Sequence, residues 1–163
     1  MDPAKRLSLY NQYLILEKLS DEECEQKMYR RFQTILIEGH VDHYIDLFDG
    51  LADETSEEVM TEVRSILNAF RALSNFESEN PDSELKIPHF EGFDGNEETS
   101  HYNYARFLIE DLGRYGEQKD AELDSDAHMI PRYSVIIDRW RKRESREQLN
   151  QEDVRYIVDE LDD

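Results

Sequence analysis

The sequence predicts an all-α fold, a single compact domain of about six helices with no sheet. Three observations predict it. Apolar residues recur at steps of three and four along most of the 163-residue chain, and no stretch alternates as a strand would. Helix-start signals, a Ser, Thr, Asp or Asn followed three residues later by an acid, stand ahead of several of these runs. Only six Gly and four Pro occur, which leaves room for long helices.

The first helix starts at Pro3, a residue suited to an opening turn. Leu7, Tyr10, Tyr13, Leu14 and Leu19 recur at helical steps, while Leu9, Ile15 and Leu16 fill other faces. A helix apolar on several sides is central in a core or shared with another subunit. Sharing is the reading here, with Leu7, Tyr10, Tyr13 and Leu14 facing the chain's own core and Leu9 and Leu16 turned to a partner. Ser20 and Glu23 have capping-box spacing, with Leu19 and Cys24 as the staple across it. The second helix then runs to about Glu38, with Cys24, Met28, Phe32, Ile35 and Leu36 on its core stripe, and Gly39 ends it. A short helix follows, closing near Gly50.

Thr55 and Glu58 open the clearest helix, over 56–74, with Val59, Val63, Ile66, Leu67, Phe70 and Leu73 on one stripe. Residues 75–89 are acidic and twice interrupted by Pro, which reads as a surface connection. A central helix over 96–112 follows, capped by Asp94 with Glu97 reaching back, or by Asn96. Its stripe is Tyr104, Phe107, Leu108, Leu112 and Tyr115, closing beside Gly113, and it packs on the helices at 56–74 and 132–144. The polar segment 116–129 reads as a mobile surface loop. Pro131 begins the next helix, which buries Tyr133, Ile136, Ile137 and Trp140. Asn150 and Asp153 open the last, with Leu149 and Val154 as the staple and Val154, Ile157, Val158 and Leu161 on its face.

Composition excludes several function classes. Hydrophobic residues make up 38% and charged residues 36%, enough of the former for one real core. No apolar run is long enough to span a membrane, the N-terminal residues lack the apolar core of a signal peptide, and a single Cys makes no internal disulfide. These point to the cytoplasm. The net charge of −20 repels phosphate backbones and anionic headgroups, which argues against nucleic-acid and membrane partners. It suits a highly soluble surface, or a high-salt cytoplasm where self-repulsion is screened.

Four pieces of the chain carry a resemblance. FEGFD followed by YARF and GRY, over Phe90–Tyr115, is the first. The others are YNQYLILEKL near the start, YRRFQTI at Tyr29–Ile35 and IPRYSVIIDRW at Ile130–Trp140. In order and spacing they resemble the YfbU-like family of small, poorly characterised prokaryotic proteins over nearly all of residues 1–163. The resemblance implies an all-helical protein and brings no catalytic residues with it. The residues that match the motif are Phe90, Gly92, Phe93, Asp94, Tyr104, Arg106, Phe107 and Tyr115.

Chemistry has few footholds. Glu98 and His101 form an E-x-x-H pair, the spacing of di-iron carboxylate bundles, yet no second such pair occurs. His40 and His43, with Asp42 and Asp46, could share one helical face and hold a metal. No nucleophile elbow or phosphate-cradling glycine loop is present. The one basic run, Arg139 to Arg143 around Trp140, complements the negative end of its own helix. The reading is therefore a cytoplasmic helical protein that self-associates and acts through protein contacts, with no catalytic residue, cofactor or metal assigned. Leu9 and Leu16 are its interface candidates. The alternative is a small acid–base or metal-dependent enzyme using His101 and Glu98, or His40 and His43.

Overall fold

The computed structural model describes residues 1–159, which leaves Leu161 of the last helix outside the described residues. Within them every regular element is helical. The helices belong to two compact units, Met1–Asp53 and one that begins at Glu54.

In the first unit, Asp2 accepts the Lys5 amide at 3.0 Å and Pro3 takes the first position of helix α1, Pro3–Leu19. Helix α2, Glu23–Glu38, returns antiparallel. Arg6 donates to the Leu36 carbonyl at 2.9 Å, Gln33 to the Tyr13 carbonyl at 3.3 Å, and Gln26 to the Ser20 carbonyl at 2.7 Å. Gly39 ends α2 in the left-handed region, at φ 76°, as its position predicts. The box at Ser20 does not form. Ser20 accepts the Glu22 amide and donates to Glu25, while Leu19 and Cys24 both stay exposed, so no staple closes the turn. A 3-10 helix, Val41–Phe48, then folds over the C-terminal half of α2. Phe32, Ile35, Leu36 and Leu47 form the buried centre, with Leu9, Tyr10, Tyr13, Tyr29 and Tyr44 packed around it. That cover stops short of Met28 and Cys24. Both were expected in the core and both are exposed.

The second unit is organised on helix α3, Glu57–Glu79, which packs α4 and α5 against it. Its cap is Ser56, one residue past Thr55, accepting the Val59 amide at 3.2 Å. It also runs five residues past the predicted end. Phe76 adds one more apolar step to the stripe and is buried, and Asn80, just before Pro81, leaves the helical region and closes the helix on the Phe76 carbonyl.

Helix α4 is short, Thr99–Arg106, and continues as a π turn over Phe107–Asp111. The wider turn shifts the apolar register. Ala105, Leu108 and Ile109 are buried, whereas Phe107 and Leu112, predicted on the buried stripe, are exposed. The hub is thus α3, not the 96–112 segment. Helix α5, Ile130–Arg141, buries Tyr133, Ile136, Ile137 and Trp140 as its pattern predicts. Helix α6, Gln151–Val158, carries the full Asn150–Asp153 capping box, with Leu149 and Val154 buried beside it. Among the described residues the only ladder-like pairing is an isolated parallel bridge between Phe93 and Asp124.

Candidate self-association surface

The first unit buries little and exposes much. Of the sixteen large apolar side chains exposed among the described residues, twelve lie in 1–53; the other four are Phe107, Leu112, Val135 and Tyr156. On α1, the row Arg6, Leu9, Tyr10, Tyr13 and Glu17 faces α2. The rest of the helix is open: Leu7 and Ile15 are 57% exposed and Leu19 73%. The assignment of faces therefore changes. Leu9, predicted to face a partner, sits on the inner cluster, because it lies about one turn from Tyr13 on the same face. Leu16 is exposed as expected, and Leu7 and Leu14 join it. Val41, Ile45 and Phe48 of the 3-10 helix, and Leu51 just after it, are exposed as well.

Glu17 is the one buried charge of this unit. Its carboxylate accepts Arg30 at 2.7 Å and Gln33 at 2.9 Å. Those two bonds, that of Gln33 first, hold its pKa below the usual glutamate value.

The motif residues Phe90, Gly92 and Phe93 lie in the second unit, around the buried Tyr133. Phe70 and Phe93 each contact both Phe90 and Tyr133, which contact each other, with ring centroids 5.1–5.7 Å apart. The Tyr133 hydroxyl donates to the Gly92 carbonyl and accepts the Glu91 amide, each at 3.0 Å, and burial pushes its pKa up. Gly92 stands at φ 78° against the Leu123 carbonyl, where a β-carbon would collide with the backbone. This is the close approach that only glycine allows. Phe93 donates to the Leu123 carbonyl and accepts the Ser125 amide, so the 116–129 segment is tied down at its middle instead of hanging free.

Asp94 caps the next turn by accepting the Asn96 and Glu97 amides, which lowers its pKa. The return bond comes from Glu98, not Glu97. Glu98 is buried and accepts two amides, that of Asp94 at 3.0 Å and that of Ile130 at 2.7 Å, with the His128 ring 3.1 Å from its carboxylate. His101 turns the other way, to Glu62 at 3.0 Å. The E-x-x-H pair is thus divided between different partners. His40 and His43 likewise go separately to Glu38 and Asp46. Among the described residues, no three His, Cys, Asp or Glu side chains converge as metal ligands would.

The remaining motif positions are mixed. Tyr104 stacks on Phe107 and accepts Arg64 at 3.2 Å, and Arg106 lies over Tyr102. Tyr115 is buried in the left-handed region at φ 55°, donating to Asn68 at 3.1 Å beneath the Arg71 guanidinium. His128, Leu123 and Asp124 were not singled out in the sequence. Their roles depend on partners about thirty residues away, and no local spacing marks them.

A family model for the YfbU domain matches residues 1–160. The chain belongs to the YfbU family. A Methanocaldococcus jannaschii relative, UPF0304 protein MJECS11, is 31% identical over 150 residues, covering 85% of this chain and 86% of its own. No solved structure matches. In this YfbU domain the basic run is largely consumed internally. Arg139 donates to the Ile157 and Asp159 carbonyls, Arg141 to Ser65, and Arg143 pairs with Asp153 over the Tyr156 ring. Trp140 points inward and donates to the Arg146 carbonyl. No helix among the described residues is long and apolar enough to cross a membrane.

Proposed function

We propose that this YfbU protein is a cytoplasmic, self-associating helical protein that acts through protein–protein contacts without catalysis, and that the Met1–Asp53 unit is its association surface. The observation that carries this reading is the imbalance of that unit. Four apolar side chains are buried in it against twelve left exposed. A unit of about fifty residues cannot build a self-sufficient core from so few groups, and a contiguous apolar exterior marks an interaction site. Two-fold pairing of identical chains is the commonest way to cover one. The exposed, unpaired Cys24 suits a reducing compartment.

Light scattering at micromolar protein in moderate salt tests the proposal. The parent should have at least twice the chain mass, and an Ile15→Glu, Leu16→Glu double variant should approach the monomer. Both positions are exposed, so the hairpin core is left intact. A parent of monomer mass would sink the reading.

A further inference from the structure

We propose that α1 pairs with α1 of a second copy, antiparallel about a two-fold axis, with Lys5 of each chain meeting the Asp21–Glu22 turn of the other. This rests on the self-association reading and names its surface. Two groups of exposed apolar side chains compete for that role, and charge separates them. The 3-10 group carries Asp42, Asp46, Asp49 and Asp53 beside it, so pairing it with its own copy sets like charges together. With Arg6 and Glu17 turned to α2, the outer side of helix α1 carries Lys5 and Lys18 and no acid, in a chain whose net charge is −20. It is the one stretch of this unit on which two copies can meet without acidic repulsion.

Direction follows from both charge and size. A parallel pair would stack Lys5 on Lys5 and the acidic turn on itself. An antiparallel pair set with Lys5 opposite Glu22 exchanges them, and overlaps α1 along roughly 18 Å of helix. Lys5, Asp21 and Glu22 are exposed, and their side chains make no bond among the described residues. The outer face of α1 also changes along its length, from Ala4 and Ser8 in the first half to Ile15 and Leu19 in the second. In the register that sets Lys5 against Glu22, Leu19 of one copy lies over Ser8 of the other, a large side chain against a small one.

Sedimentation equilibrium at low to moderate salt on the parent, Lys5→Glu, Asp21→Lys and the double variant tests this. Each single change should weaken association roughly 3- to 30-fold, as expected for two symmetric surface pairs, and the double variant should recover most of the loss. Lys5→Glu keeps the helix, since an acid in the first turn suits its N-terminus, and circular dichroism verifies that. A dimeric parent with Lys5→Glu equally tight or tighter overturns the antiparallel pairing alone. A monomeric parent overturns the self-association reading beneath it.

Discussion

Phe93 touches Phe90, Tyr133 and His101 and has no exposed surface. Truncation to Ala should therefore cost about 3–5 kcal/mol, the range for a buried ring, read as a shift in the denaturant midpoint; an unchanged midpoint would show that the ring contributes little. Its neighbour Gly92 fails differently. Any side chain there must push the Leu123 carbonyl away while the backbone holds a positive φ, so Gly92→Ala should destabilise although it removes nothing. Glu17 sets a pH dependence in the first unit. Its folded pKa is depressed by Gln33 and Arg30, so its stabilisation is present above the unfolded carboxylate value, about 4.3. It is lost as pH falls through the folded pKa. Melting temperature should drop in that acidic window, and Glu17→Gln should flatten the drop; the same slope in both proteins would remove Glu17 as its cause.

Elements were legible where their signals are local. The Asn150–Asp153 box, the Gly39 stop and the α5 stripe each depend on residues within one or two turns, and each forms as read. The misreadings share a different origin. Met28 and Cys24 are apolar at the right spacing, but burial depends on what lies opposite, and the 3-10 helix covers only the far half of α2. Leu9 and Leu14 exchanged roles because an apolar residue on every side leaves the inner face undefined until α2 is placed. The π turn after Arg106 has no signal in its residues and moves Phe107 and Leu112 outward. Glu98 is the sharpest case. Its partners Ile130 and His128 lie about thirty residues on, so it reads as half of a metal motif until the start of α5 arrives beside it. Glu98→Ala should cost roughly 1–3 kcal/mol for each of the Asp94 and Ile130 amides left without a partner, with Glu98→Gln losing less. Equal stability of the two variants would mean water replaces the carboxylate fully.

Charge is unevenly spread through the molecule as a whole. Residues 1–53 hold eleven acidic and six basic side chains, a net −5, whereas the remaining residues carry −15. Near 1 M NaCl the Debye length is about 3 Å, so self-repulsion in the second unit should fade and the melting temperature should rise from low to high salt. A flat or falling melt would show that the acids are already paired or too far apart to matter. Partner separations also differ between the units. Side-chain bonds in the hairpin reach 34 residues along the chain at most, while Arg141 finds Ser65 across 76. Phe93 adds a staple of its own, bonded on one side to Leu123 and on the other to Ser125. A protease that nicks the surface segment at Lys119 would leave Phe93 in one piece and Leu123 and Ser125 in the other, with these bonds still joining the two. The two pieces should separate on a denaturing gel yet travel together on a native column, and the nicked protein should still melt cooperatively.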